Sequence, residues 1–137
     1  MNVKVVYKSR HGHTKRLAEA IARGAGVAAE SVETVKINQP IDLLFIGGAL
    51  YVGKIDKALE AFLRGLNAGQ AKKAVMFGTS GEGKPIDPIH ALLGSKNIPT
   101  VGDGFYCKGG FLWSGKNKPT EEELGRAEEF AAKLVKG

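Results

Sequence analysis

Short apolar runs alternate with segments of helical periodicity along the whole chain, and this alternation limits the possible folds more than any other feature. Leu43–Gly48 is almost entirely apolar, as expected for a strand covered on both faces of a sheet. Thr14–Ala25 instead repeats its apolar residues at i, i+3 and i+4, which predicts an amphipathic helix. Units that alternate in this way build a parallel sheet with helices on both faces. We therefore predict a single α/β domain over residues 1–137.

The predicted elements follow the order β-α-β-β-α-β-α-β-α. The other strands are expected at Val3–Tyr7, Val32–Ile37, Ala74–Gly78 and Thr100–Cys107. The later helices are placed by Asp56 as an N-cap, by Asp87-Pro88 as a start with Gly94 as the stop, and by the capping box Thr120-Glu-Glu-Glu123. Only residues 38–42 separate the second and third strands, so the second helix is predicted to be short or missing.

Composition narrows the class of protein. The net charge is +6, but the cations are dispersed and have no interleaved aromatics, so we expect acidic partners rather than nucleic acid. The amino terminus has no signal-peptide pattern, and no apolar run approaches the roughly 20 residues that cross a bilayer. We expect a cytoplasmic protein that does not enter a membrane. The single cysteine, Cys107, excludes an internal disulfide.

The strongest functional signal follows the first strand. Val3–Tyr7 leads into Ser9–Thr14, a loop of hydroxyl, glycine and basic residues that opens a helix. Such a loop gathers backbone N–H groups at the positive end of a helix dipole, where a phosphate binds well. A loop that merely begins a helix with small residues is the simpler alternative.

Three loops would flank a ligand if the strand order is 2-1-3-4-5, because ligands of open α/β sheets bind where the order reverses. We call Ser9–Thr14 the first loop, Ala49–Lys54 the second loop and Thr79–Gly83 the third loop. Tyr51 could stack on an aromatic ligand or serve in ordinary packing. The candidate ligand-binding residues are Ser9, Arg10, His11, Gly12, His13, Thr14, Ala49, Leu50, Tyr51, Val52, Gly53, Lys54, Thr79, Ser80, Gly81, Glu82 and Gly83.

The chain resembles the short-chain flavodoxin-like family over essentially its whole length. Ser9, Gly12 and Thr14 match the family's phosphate loop, [Ser/Thr]-x-Thr-Gly-Asn-Thr. His11 replaces the Thr at its third position, and His13 replaces the Asn at its fifth. The segments 42–51 and 77–81 resemble the third and fourth strands with their flavin loops. The resemblance implies a three-layer, doubly wound, five-stranded parallel sheet of order 2-1-3-4-5. It also implies FMN as cofactor and redox proteins as partners.

Three functions are consistent with this sequence. The first is an FMN-binding electron carrier, in which no side chain need act as an acid or base. The second is an FMN-dependent oxidoreductase acting on a quinone or a porphyrinogen-like substrate, because residues 79–84 contain no aromatic to cover the second face of the flavin. The third is a non-redox module that uses the same fold to bind an anion or a protein.

Other motifs are weaker. Gly78–Lys84 resembles a nucleotide-binding P-loop, but Pro85 stands where a Ser or Thr would hold Mg²⁺. His11 and His13 have no acidic companion nearby, so no metal site is predicted. Cys107 lacks the downstream Arg of a phosphatase loop and is expected to be a packing residue.

Overall fold

The computed structural model describes residues 1–10, 12–51, 54–79, 86–107 and 119–136. Within these residues the chain alternates strands and helices, as the sequence predicts. The elements in chain order are β1 (Val3–Tyr7), α1 (His13–Ala25), β2 (Ala29–Ser31), β3 (Leu43–Tyr51), β4 (Lys54–Ile55), α2 (Lys57–Gly65), β5 (Ala74–Thr79), α3 (Ile86–Ser95), β6 (Phe105–Cys107) and α4 (Glu121–Lys136).

The sheet has the order β2-β1-β3-β5-β6, and all of these neighbours are parallel. These five strands therefore have the predicted 2-1-3-4-5 order. The sequence did not predict β4, which pairs antiparallel with the end of β3 and forms a short hairpin there. A strand of two residues carries too little periodicity to be detected in the sequence.

Alternate residues of the strands form two cores, one on each face of the sheet. Val5 and Phe77 pack with helices α1 and α4, whereas Val6 and Ile46 pack with helices α2 and α3. Phe77, Val5, Val6 and Ile46 are completely buried. The result is the predicted three-layer, doubly wound architecture, in which the loops that follow the strands meet at one edge of the sheet.

The second strand lies earlier than predicted, at Ala29–Ser31 instead of Val32–Ile37. Helix α1 ends at Ala25 and is followed by Gly26, whose φ is 76°, and Val27 donates its N–H to Ala22 O across the helix end. This Schellman turn returns the chain to the sheet almost immediately. The position predicted for this strand is therefore wrong.

The apolar spacing that suggested the later strand belongs to a turn. Thr34 and Val35 both donate their N–H groups to Ser31 O, which ends β2. Val35 and Ile37 are partly buried against the α2 side of the core. No helix forms between Val32 and Asp42, in agreement with the prediction that the second helix is short or missing.

Helix α3 begins at Ile86 and ends at Ser95, so Asp87 is not its N-cap and Gly94 is not its stop. Asn97, with φ of 60°, ends the helix through bonds from Asn97 N to Gly94 O and from Ile98 N to Leu93 O. Asn is the residue other than Gly that best tolerates this left-handed position.

The last strand is shorter than the predicted Thr100–Cys107. Only Phe105–Cys107 forms a regular strand, and Thr100 makes an isolated bridge to Ala74. Gly102 and Gly104 have φ values of 63° and 82°, which interrupt the extended backbone between these two pairings.

Two predicted caps are confirmed. The Asp56 carboxylate accepts the N–H of Ala58 at 2.7 Å and begins α2. Thr120 and Glu123 exchange backbone-to-side-chain bonds of 2.9 and 3.2 Å and begin α4 as a capping box.

In the described part of the chain, no helix is both long and apolar enough to cross a membrane.

Candidate functional site at the carboxyl edge

The carboxyl edge of the sheet, where β1, β3 and β5 end, carries the candidate site. These strands end at Tyr7, Tyr51 and Thr79, and the first, second and third loops begin at or near those ends. The strand order reverses between β1 and β3, because β2 lies on one side of β1 and β3 on the other. This is the position at which open α/β sheets bind ligands.

The first loop leads into a helix that has no side-chain cap. Ser9 Oγ accepts the N–H of Gly12 at 3.0 Å, and Gly12 is the N-cap residue of α1 with φ of 87°. The first helical bond runs from Arg16 N to Gly12 O, at 3.0 Å. The first turn of α1 contains no acidic residue. A helix start that has no side-chain cap and no acidic residue in its first turn suits an anion.

Thr14 connects the first loop with the third. Its Oγ1 lies 2.7 Å from Oγ1 of Thr79, across 65 residues of sequence. Both side chains are buried, with 1% of each residue exposed. The bond joins the first turn of α1 to the last residue of β5.

Arg10 connects the first loop with the start of α2. Its Nε donates to Oδ2 of Asp56 at 2.7 Å, while Oδ1 of Asp56 accepts the N–H of Ala58. Burial by itself would raise the pKa of Asp56, but the hydrogen bonds from Arg10 and Ala58 outweigh it. The net pKa of the Asp56 carboxyl therefore lies below its ordinary value, and the group is ionised at neutral pH.

A family model for the flavodoxin domain matches residues 4–88, which is more than half of the chain. The chain belongs to the flavodoxin domain family. This membership and the flavodoxin fold together support a flavodoxin-like electron-transfer protein that binds FMN.

Three comparisons place this flavodoxin-like chain among known proteins. It is 29% identical to an uncharacterized protein of Methanocaldococcus jannaschii over 151 aligned positions, covering 99% of both chains. It superposes on a flavodoxin from the domain Archaea with a TM-score of 0.76 at 21% identity, covering 99% of this chain and 97% of that one. It also matches the Flv1 flavodiiron core of Synechocystis, with a TM-score of 0.77 at 23% identity, over 99% of this chain but 35% of that one.

Several predicted site residues of this flavodoxin-like chain take definite places. Ser9 and His13 are half-buried, while Lys54 is exposed at the start of β4. Ala49 is 9% exposed within β3. Leu50 and Tyr51 are the last two residues of β3, and flavin stacking by Tyr51 stays a prediction. The predictions for His11, Val52, Gly53, Ser80, Gly81, Glu82 and Gly83 concern residues outside the described part of the chain.

One residue of the edge was not among the predicted site residues. Asp56 was predicted only as a helix cap, and its bond to Arg10 spans 46 residues of sequence. Among the described residues, the buried polar side chains are Thr14, Asp56 and Thr79, and all three lie at the carboxyl edge. No local pattern links Arg10 to Asp56, and only their opposite charges hinted at the pair.

Two hollows in the described surface lie away from this edge. One, of about 530 Å³, is lined by the end of α3 and residues 97–100. The other, of about 270 Å³, lies between α2 and the turn that contains Val35 and Ile37. Their lining residues include no buried polar side chain, in contrast to the carboxyl edge. The distribution of buried polar side chains therefore favours the carboxyl edge as the candidate ligand site.

Proposed function

We propose that this flavodoxin-like protein holds FMN at its carboxyl edge and passes electrons between redox proteins. The observation that carries the proposal is the uncapped start of α1, which lies where the strand order reverses and has no acid in its first turn. Ser9, Gly12 and the first turn of α1 would hold the phosphate, with the second and third loops beside the ring. Residues 1–137 would form the single domain that carries this function.

Bound FMN would supply the redox chemistry, and the protein would supply binding and orientation. Backbone N–H groups at the start of α1 point along the helix axis toward an incoming anion. Ser9 Oγ accepts a bond from Gly12, so its own O–H can donate to a phosphate oxygen. The Thr14 hydroxyl lies against Thr79, so its role as a phosphate ligand stays a prediction.

The first test is direct. Purified protein should bind FMN, with flavin absorbance that remains after gel filtration, and should bind riboflavin, which lacks the phosphate, more weakly. A protein that binds neither would support a non-redox binding module instead.

A charge reversal tests the position of the phosphate. Lys15 is exposed in the first turn of α1. Lys15→Glu should weaken the binding of FMN about tenfold and should change the binding of riboflavin little. The substitution places an acid where a helix dipole tolerates it, so unfolding would not explain the loss. Arg23→Glu makes the same change in the last turn of the same helix and is the matched control. Equal losses for both ligands, or for both variants, would contradict a phosphate at this helix start.

The alternative function is FMN-dependent oxidation or reduction of a quinone or a porphyrinogen-like substrate. It is favoured by residues 79–84, which contain no aromatic side chain to cover one face of the ring. Rapid reoxidation of the reduced protein by a small quinone, in a single two-electron step, would support the enzyme. Slow reoxidation and two separate one-electron steps in a redox titration would support the carrier.

Acidic redox proteins are the partners that the charge favours. Lys15, Lys54 and Lys57 are all exposed on segments that reach the carboxyl edge. Opposite charge accelerates the encounter of two proteins, and salt screens this effect. The rate of electron transfer to an acidic redox protein should therefore fall as salt is raised and should fall further in Lys54→Glu/Lys57→Glu. A rate that rises with salt would argue against acidic partners.

A further inference from the structure

The first loop is linked to two neighbouring segments by side-chain hydrogen bonds. Thr14 bonds to Thr79 at the end of β5, and Arg10 bonds to Asp56 at the start of α2. Both bonds connect segments that are distant in sequence, and both lie at the edge where the proposed ligand would bind. The Arg10–Asp56 bond is the one that involves charge.

Both oxygens of the Asp56 carboxylate are engaged. Oδ2 accepts from Nε of Arg10 and Oδ1 accepts from the N–H of Ala58, each at 2.7 Å. The Asp56 side chain is 10% exposed and the Arg10 side chain 49% exposed. A charged hydrogen bond to a shielded carboxylate is stronger and more directional than an ion pair in open solvent.

Asp56 also lies at the base of the hairpin that carries the second loop. It follows β4 directly, and β4 pairs with the end of β3 through Leu50 with Ile55 and Tyr51 with Lys54. The carboxylate therefore contacts the first loop from a fixed point on the hairpin. The contact therefore links the first loop to the hairpin that carries the second, in addition to the backbone bond from Lys8 N to Gly47 O.

We propose that Asp56 is a positioning residue for FMN, an inference that rests on the function proposed above. Through Arg10, Asp56 holds the first loop and the β3–β4 hairpin at the separation at which one FMN molecule reaches both. Without the bridge, part of the phosphate's binding energy would be spent on aligning the two loops. Riboflavin does not use the phosphate site and would lose less. The ratio of riboflavin Kd to FMN Kd therefore reports the bridge.

The test compares that ratio in the full chain with Asp56→Ser. Serine keeps the N-cap of α2 but removes the charged acceptor for Arg10. We expect the FMN Kd to rise about tenfold and the riboflavin Kd less than about threefold. A purely structural role would raise both equally, and an unchanged ratio overturns the proposal.

A double-mutant cycle with Arg10→Gln provides a second, independent measurement. If Arg10 acts through Asp56, the double variant should bind FMN no more weakly than Asp56→Ser does. Losses that add in full would show that Arg10 binds the ligand separately and would overturn the proposal. If Asp56→Ser folds poorly, Arg10→Gln alone still tests the proposal, because it leaves the α2 cap intact and should itself lower the ratio; an unchanged ratio in Arg10→Gln overturns the proposal.

Asp42→Ser is the matched control. Asp42 accepts the N–H of Asn2 at 2.7 Å and pairs with Lys72, but at the opposite edge of the sheet. Its loss should change neither Kd, and an equal effect in both variants would overturn the proposal. Failure of the wild-type protein to bind FMN would instead overturn the proposed function, so the two failures are distinguishable.

Discussion

The two edges of the sheet are held together in different ways. At the amino edge, where β1, β3 and β5 begin, backbone bonds join neighbouring segments: Asp42 N to Asn2 O, Ile41 N to Gln70 O, Lys72 N to Ile41 O and Ala74 N to Pro99 O. At the carboxyl edge, backbone bonds from Lys8 N to Gly47 O and from Val32 N to Tyr7 O also join neighbouring segments. The loops there are linked in addition by two long-range side-chain bonds, Arg10–Asp56 and Thr14–Thr79.

This arrangement would let one sheet be stable and still leave one edge open to the proposed ligand. Backbone bonds along the amino edge use the groups that would otherwise contact solvent, and they do not depend on residue type. At the carboxyl edge, side-chain bonds supplement the backbone bonds, and the N–H groups at the start of α1 remain directed outward. Substitutions at the amino edge should therefore affect folding, and those at the carboxyl edge should also affect binding.

The largest expected effect is on the side of the amino edge. Gly104 has φ of 82°, and an added Cβ would lie 2.4 Å from Met76 O. Gly104→Ala should lower the free energy of unfolding by about 3 kcal/mol or more, since it combines left-handed strain with overlap on backbone. Urea denaturation would measure this.

Gly102→Ala is the control for that substitution. Gly102 also has positive φ, 63°, but an added Cβ meets nothing within 4 Å. It should cost only about 1–2 kcal/mol. If both variants lower the free energy of unfolding equally, the contact with β5 is unimportant. If either variant changes the FMN Kd of the folded protein, the amino edge also affects binding, which contradicts the expected difference between the edges.

The next effect concerns the buried hydroxyl pair of the carboxyl edge. Thr79→Val keeps the shape but leaves the Thr14 hydroxyl without its bond, which should cost about 1–3 kcal/mol of unfolding free energy. The double variant Thr14→Val/Thr79→Val should cost less than the sum of the single changes, because no buried hydroxyl is then orphaned. Thermal and urea unfolding would measure both, and strict additivity would contradict the pair.

The smallest expected effect is the loss of folding stability in acid. It can be compared for one carboxylate at each edge, Asp42 and Asp56. The pKa of Asp42 is lowered first by the N–H of Asn2 and then by Lys72, and the pKa of Asp56 is lowered on balance by Arg10 and Ala58. A lowered folded-state pKa stabilises the fold above the ordinary value of 3.8. That stabilisation is lost as pH falls below about 4.

Unfolding measured between about pH 5 and pH 2.5 should show this loss in the wild type and a shallower loss in Asp42→Ser or Asp56→Ser. FMN binding should become less sensitive to acid only in Asp56→Ser, because only that carboxylate faces the proposed site. If FMN affinity depends on pH in the same way in Asp42→Ser and Asp56→Ser, the expected difference between the two edges is contradicted.

Local signals predicted much of the fold. The β1 strand, the Asp56 cap and the Thr120 capping box depend on neighbouring residues, and all three are as predicted. The position of β2 could not be predicted because Val32–Ile37 has an apolar spacing that suits both a strand and the turn that actually forms. Alternation of strands and helices predicted a parallel sheet with helices on both faces, whereas the strand order came from the resemblance to the flavodoxin-like family.

The site was predictable to a lesser degree. The motif around Ser9, Gly12 and Thr14 located the first loop, because glycine and hydroxyl residues before a helix have a local meaning. The partners of Arg10 and Thr14 were not predictable, because each lies more than 40 residues away and is selected by the packing of the sheet. The flavin contacts predicted for Tyr51 and the third loop stay predictions.

The missing second helix has a practical consequence. Asn38, Gln39 and Pro40 are exposed in the stretch that replaces it, directly before β3 and therefore at the opposite end of the strands from the first loop. Extra residues at a surface connection of this kind cost little chain entropy. A fluorescent label or affinity tag inserted there would report on the protein without standing between the carboxyl edge and an incoming partner.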